Sequence, residues 1–133
     1  MLSIVIFIVG IILYSFAEYA IHRWILHGPM IKQHAVHHRD PSKNIHVPFM
    51  VMIPALLLVL LVAGFPLMLG ILSCWIGSSL LHRRLHVGKP SSPQILRLWH
   101  RHNGHHRKVT TNYGVTSMFW DALFGTLGKN DLT

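Results

Sequence analysis

Acidic residues are scarce in this chain: four Asp and Glu stand against twelve Lys and Arg in 133 residues. Sites for Mg or Ca are built from hard oxygen ligands, so the scarcity disfavours both ions. Cysteine is scarcer still. Cys74 stands alone in an apolar stretch, which excludes an internal disulfide and a thiolate zinc site and leaves it as a packing residue. Charge of either sign is low: 12% of the residues are charged and 51% are hydrophobic, against roughly 25% charged in soluble domains. Lys and Arg are missing altogether before Arg23 and again from Val47 to Leu81. A formal charge of +8 raises nucleic acid as a partner, but this partition into basic and apolar blocks is the one that keeps basic loops in the cytoplasm, and nucleic acid is set aside. The N-terminal stretch has neither a charged leader nor a small-residue cleavage site, so it is read as a retained span.

The apolar residues fall into blocks whose length is informative. Leu2 to Ala20 is almost wholly apolar and, as a helix, reaches roughly 28 Å, close to the hydrocarbon thickness of a bilayer. Val47 to Leu81 is apolar too, but Gly64-Phe65-Pro66 divides it into a hairpin. The length bounds the chain at one domain, 1–133. The expected architecture is therefore all-α, an integral membrane bundle with about three segments, near 2–20, 47–62 and 67–81. Each hairpin arm would reach only about 22 to 24 Å, short for a full span. Basic segments held inside place Met1 outside and 91–133 in the cytoplasm, and bring 22–46 and 82–106 to the same side. Ile95 to Trp99 and Met118 to Phe124 read either as interfacial helices or as ordinary packing against the bundle.

Histidine is what the chain has in excess, with twelve in all. Ten fall into four short groups: His22 and His27 (H-x4-H), His34, His37 and His38 (H-x2-H-H), His82 and His86 (H-x3-H), and His102, His105 and His106 (H-x2-H-H). Residues three and four apart share a helix face, so three of the groups aim imidazoles at a common point, as chelation requires. The H-x4-H pair does not fit, because five residues turn an ideal helix by about 140°. Either the helix distorts there or the two histidines serve different ions. Ten imidazoles exceed the positions around one ion, which argues for two, and an all-nitrogen donor set suits Fe, Zn, Cu or Ni. His46 and His100 lie outside the groups and are read as structural.

Glu18 lies one turn before His22 in an otherwise apolar segment, where an ionisable side chain needs a partner. The expected role is to accept a hydrogen bond from the N–H of a ligating histidine. Asp40 and Asn103 are expected in the same role, with Asn44 and Asp121 as weaker candidates.

Taken together, HRWILH from His22, HAVHH from His34 with Asp40-Pro41 after it, HRRLH from His82, HRHNGHH from His100 and the tail from Tyr113 to Thr126 resemble the fatty acid hydroxylase and sterol desaturase superfamily. The resemblance covers nearly the whole chain, and the tail is similar to the fatty acid hydroxylase branch. It implies a dimetal centre, nominally two iron ions, that uses O2 and two electrons from a partner protein to hydroxylate or desaturate a lipid. The ligand role it implies falls on His22, His27, His34, His37, His38, His82, His86, His102, His105 and His106. Zinc is expected as a substitute in overexpressed protein. Two departures are Val87, where relatives often carry a further histidine, and the short chain. No cytochrome-like or flavin-binding segment is evident, so the electron donor is expected to be cytochrome-, ferredoxin- or reductase-like. Trp24, Trp75 and Trp120 are expected as tunnel walls or interfacial anchors. The nearest rival is carotenoid hydroxylation, which also uses a first-helix box followed closely by H-x2-H-H. A metal transporter is the rival of another class, and a zinc hydrolase is disfavoured because H-E-x-x-H is absent.

Overall fold

The computed structural model describes residues 1–43 and 49–128, and all regular structure among them is helical. Helix α1 runs Leu2–Ala20 and continues without a break into a π-helical turn, Ile21–Leu26. Then follow α2 (Ile31–Arg39), α3 (Phe49–Ala63), α4 (Phe65–His86), α5 (Pro93–Arg107) and the short α6 (Phe119–Leu123). His46 and Asn44 lie outside the described residues.

Two helical stretches, Leu2–Leu26 and Phe65–His86, are long and apolar enough to cross a membrane. Their most apolar windows are only 11% and 17% buried within the molecule, unlike the core helix of a soluble protein. Leu2, Ile4, Val5, Ile8, Val9, Ile12 and Leu13 all expose their side chains on α1. A helix apolar all round, with its backbone hydrogen bonds satisfied internally, is what a bilayer accepts. This is a membrane protein. The hairpin expected at 47–62 and 67–81 is present but unequal. Gly64, at φ 87°, ends α3, and Pro66 sits in the first turn of α4. Helix α4 then passes the expected end at Leu81 and carries HRRLH as its last turn, because no residue there breaks a helix until Gly88, at φ 136°. Helix α3 has 15 residues, roughly 22 Å, and falls short of a span.

Helices α1 and α4 make the main packing of the bundle and run parallel. They meet at two glycines: a Cβ on Gly10 would lie 2.6 Å from the Leu67 carbonyl oxygen, and one on Gly70 would run into the carbonyl of Phe7. Backbone-to-backbone approach of this kind is typical of helices packed in membranes. One turn further on, the hydroxyls of Tyr14 and Ser78 are 3.1 Å apart. This register carries His22 and His82 to the same end of the bundle, where α2 and α5 close over them.

The tail packs back onto α1. Trp120 Nε1 donates to Ser15 Oγ at 3.1 Å, and its ring lies 4.9 Å from that of Phe16, while Phe119 and Leu123 point outward. Of the two readings offered for Met118 to Phe124, packing against the bundle describes Trp120.

Candidate metal centre

A distorted helix is one of two readings of the first histidine pair, and the π-helical turn supplies it. His27 N–H donates to the carbonyl of His22 at 3.1 Å, a bond spanning five residues instead of four. A wider turn brings residues five apart onto one face, so the rings of His22 and His27 lie 5.0 Å apart, centre to centre. From α2, His34 and His38 face this pair, and from α5 comes His105. These five rings, His22, His27, His34, His38 and His105, place one nitrogen each within 4.8 Å of all the others. A second cluster holds His37, His86, His102 and His106 in the same way. His82 joins it, with its Nε2 at 3.2 Å from that of His86 and its ring 4.7 Å from that of His102. All ten histidines of the four groups thus meet in two adjoining sets, bridged by His38 and His106, whose ring centres are 4.4 Å apart. His100 does not join them and lies against Trp99 instead.

Nitrogen faces nitrogen across these sets: 3.0 Å for His22 Nε2 to His34 Nε2, 3.0 Å for His27 Nε2 to His105 Nε2, and 2.9 Å for His86 Nε2 to His102 Nε2. The tautomers follow from the other ring nitrogens. A carbonyl only accepts, so His22 Nδ1–H donates to the Tyr113 carbonyl at 2.6 Å, His105 Nδ1–H to that of Thr111 at 2.7 Å and His37 Nδ1–H to that of Lys43 at 3.2 Å. Each neutral ring then turns a bare Nε2 lone pair inward. His34 Nδ1 is buried without a hydrogen-bond partner among the described residues, while His38 and His106 each lean on the other's backbone. Burial first, and the neighbouring imidazoles after it, hold His34 and His106 down at about 3 and His38 at about 4. Burial pushes His105 down to about 2, against the opposing pull of the Thr111 carbonyl. These rings are neutral at pH 7, the form that binds metal. Converging lone pairs with few protons among them fit cations, and their number fits two.

A cavity of 410 Å³ runs along α1, α3 and α4, walled by Leu13, Ala17, Met52, Leu56, Ile71 and Trp75. Its histidine end is formed by His22, His34 and His82. An apolar channel therefore leads from the membrane-spanning part of the bundle to both clusters.

The fatty acid hydroxylase family model matches residues 7–126. The chain belongs to that family. It is 30% identical over 138 residues to a dihydroceramide fatty acyl 2-hydroxylase of Arabidopsis thaliana, covering 89% of this chain and 58% of that protein. A ceramide very long chain fatty acid hydroxylase of Schizosaccharomyces pombe is 28% identical over 153 residues, 95% of this chain and 43% of its own length. A second Arabidopsis thaliana dihydroceramide fatty acyl 2-hydroxylase is 26% identical, with 90% and 59% covered. The chain thus spans about half the length of the curated relatives it matches. No solved structure matches it.

In this member of the fatty acid hydroxylase family, the hydrogen-bond acceptors behind the histidines differ from those expected. Glu18 accepts from the Thr116 hydroxyl at 2.6 Å, Asp40 from Ser42 N at 3.1 Å, and Asn103 donates to the Trp99 carbonyl at 2.8 Å. None bonds a histidine among the described residues, because each is satisfied by a nearer partner. Backbone carbonyls take the role instead. Of the tryptophans, Trp75 lines the cavity, whereas Trp24 is half exposed and Trp120 is held by Ser15. Sequence reasoning ranked Asp121 low. It is wholly buried and accepts four hydrogen bonds, from Tyr113 N, Gly114 N, the Thr126 hydroxyl and the Arg101 guanidinium. The signal within reach was the tail itself, where Asn112 at φ 56° and Gly114 mark a backbone shaped around a fixed partner.

Proposed function

We propose that this chain is the membrane-embedded catalytic unit of an O2-dependent lipid hydroxylase that holds two iron ions on its ten clustered histidines and oxidises a fatty acyl chain. One observation carries the reading: two all-imidazole clusters adjoin an apolar cavity lined by the two long apolar helices. The cavity shape admits a flexible hydrocarbon from the bilayer side, and apolar walls favour it by burial. His22, His27, His34, His38 and His105 would hold one ion, and His37, His82, His86, His102 and His106 the other. When bound, the two irons would supply the oxidising power to split an unactivated C–H bond, with O2, two protons and two electrons from a separate donor protein giving an alcohol and water.

The chain's own part is placement. Leu13, Ala17, Leu56 and Ile71 hold the acyl chain against the His22 and His82 end and keep water away from it. The carbonyls of Tyr113, Thr111 and Lys43 fix ring orientation, so the clusters are pre-shaped and little reorganisation is needed. Basic residues at the histidine end of both spanning helices, Arg23 and Arg83-Arg84, support a cytoplasmic site with the N-terminus outside. The names of the relatives favour hydroxylation of an acyl chain over desaturation and over carotenoid chemistry.

The test compares extracted lipids by mass spectrometry from cells expressing this chain or its His105→Ala variant beside a suitable reductase, with metal measured on purified protein. An acyl lipid gaining one oxygen atom only with the intact chain, together with about two metal ions per chain, supports the reading. Unchanged acyl lipids beside an oxygenated carotenoid would favour the rival substrate, and metal bound with no lipid changed in the presence of the donor would favour metal handling.

A further inference from the structure

The Tyr113–Gly114 peptide group stands between His22 and Asp121. On one side its carbonyl accepts from His22 Nδ1–H at 2.6 Å. On the other its amide, Gly114 N–H, donates to Asp121 Oδ2 at 2.9 Å. The C=O and N–H of a trans peptide point in opposite directions within one conjugated plane. Charge on the carboxylate therefore polarises the amide and makes the Tyr113 carbonyl a stronger acceptor. We propose that Asp121 is a positioning residue that acts on His22 through this single peptide group, fixing the Nδ1–H tautomer and strengthening Nε2 as a donor to the ion of the first cluster. The inference rests on the metal-centre reading above.

Three further observations single out this connection. Asp121 is held from its remaining sides by Tyr113 N at 2.8 Å, the Thr126 hydroxyl at 2.8 Å and Arg101 Nη2 at 3.0 Å, so its carboxylate cannot turn away from Gly114. Gly114 has no room for a side chain, because a Cβ there would run into the Ser117 carbonyl and lie 3.0 Å from Asp121 Oδ2. His105 supplies the contrast. Its Nδ1–H donates to the Thr111 carbonyl, but the amide of that same peptide, Asn112 N–H, donates to the neutral carbonyl of Thr126 at 2.8 Å. Of the two chains whose peptide amides lie among the described residues, that from His22 ends in a carboxylate and that from His105 in a carbonyl. Elsewhere a carboxylate often bonds the metal-bound histidine directly, and changing such a partner costs roughly 10- to 100-fold in metal affinity.

The experiment measures zinc binding to detergent-purified, metal-free protein by competition with a chelator, for the wild type, Asp121→Asn and Thr126→Val. The Asn keeps the shape but turns an amide donor toward donors. Thr126→Val removes one contact of Asp121 and one of Tyr19 while leaving the Gly114–His22 line intact, which controls for loss of tail packing. The expected result is two zinc ions in the wild type, about 10-fold or greater weakening of one site in Asp121→Asn with the other unchanged, and near-wild-type affinities in Thr126→Val. Equal affinities in Asp121→Asn and wild type, equal weakening of both sites, or the same weakening in Thr126→Val would overturn the proposal. A wild type that binds no zinc would remove the metal-centre reading itself, and the proposal with it. Should Asp121→Asn not fold, the zinc-loaded wild type with 15N-labelled histidine decides. A proton on His22 Nδ1, assigned by its loss in His22→Ala, supports the chain of bonds, and an unprotonated Nδ1 overturns it.

Discussion

His100 and His102 are two residues apart on α5 and have opposite surroundings. His102 is buried within the second cluster, with its Nε2 at 2.9 Å from that of His86, whereas His100 packs beside Trp99 and reaches no other histidine among the described residues. Burial, with the nearby imidazoles adding to it, holds His102 well below the usual histidine range, so it would meet a cation as a neutral donor. His102→Ala should reduce the bound metal from two ions to one, or lose both where the clusters depend on each other, and His100→Ala should keep two. Elemental analysis of the purified variants reads this directly, and a loss in His100→Ala equal to that in His102→Ala would contradict the division. At this scale the clustering of the histidines was legible, since i, i+3 and i, i+4 spacing translates into a shared face. The acceptors behind the ligands were not. A carboxylate near a histidine in sequence invites pairing, but Glu18 is taken by Thr116. The carbonyls of Thr111, Tyr113 and Lys43 carry no residue-type signal, because every residue has one.

Elements meet in this molecule through glycine and through one widened turn. The α1–α4 crossing brings Gly10 and Gly70 within backbone contact, and a methyl group at position 70 would meet the Phe7 carbonyl, which has no rotamer by which to yield. Gly70→Ala should therefore push the two spans apart, at about 1–3 kcal/mol of stability, and loosen the cavity between them. Gly77 on the same helix has nothing within 4 Å of its would-be Cβ, so Gly77→Ala should be neutral or stabilise by roughly 0.5–1 kcal/mol. Thermal unfolding of both variants in one detergent, followed by circular dichroism, should show opposite or clearly unequal shifts, and equal shifts would mean that the crossing is not the contact described. The hairpin at Gly64 and the two long spans could be read from composition, because a breaker pair and an apolar run have local causes. The π-helical turn could be posed only as one of two alternatives. Its cause is the requirement that His22 and His27 face the same cluster, and that depends on α2 and α5, far along the chain. The extension of α4 through His86 agrees with the helical reading of HRRLH, since a polar box ends a membrane segment without ending a helix.

For the molecule as a whole, the joined position of histidines and basic residues makes an argument about sidedness. Both long spans finish in basic residues at their histidine ends, with Arg23 at one and Arg83 and Arg84 at the other, while their opposite ends, near Leu2 and Phe65, carry no charged side chain. Short basic segments stay in the cytoplasm, and a donor delivering electrons from that compartment would meet the clusters there. Ser42, exposed just beyond α2, reports on this face. In a Cys74→Ser background, Ser42→Cys should resist a membrane-impermeant maleimide in intact cells and react after permeabilisation. Labelling in intact cells would reverse the orientation and require an electron donor on the outer side. The cavity argues for the same arrangement from within. It runs between the two long helices from Leu13 to His22 and from Ile71 to His82, so on the proposed reading an acyl chain would lie within the bilayer thickness with its reacting carbon at the histidine end. Ala55 lines this channel away from every histidine of the two clusters in sequence and sits on the short α3. Ala55→Phe should fill part of the 410 Å³ and lower turnover on long acyl chains several-fold while leaving metal content at the wild-type level. Loss of metal in that variant would show that α3 supports the clusters rather than the substrate, and unchanged turnover on every chain length would place the acyl group elsewhere.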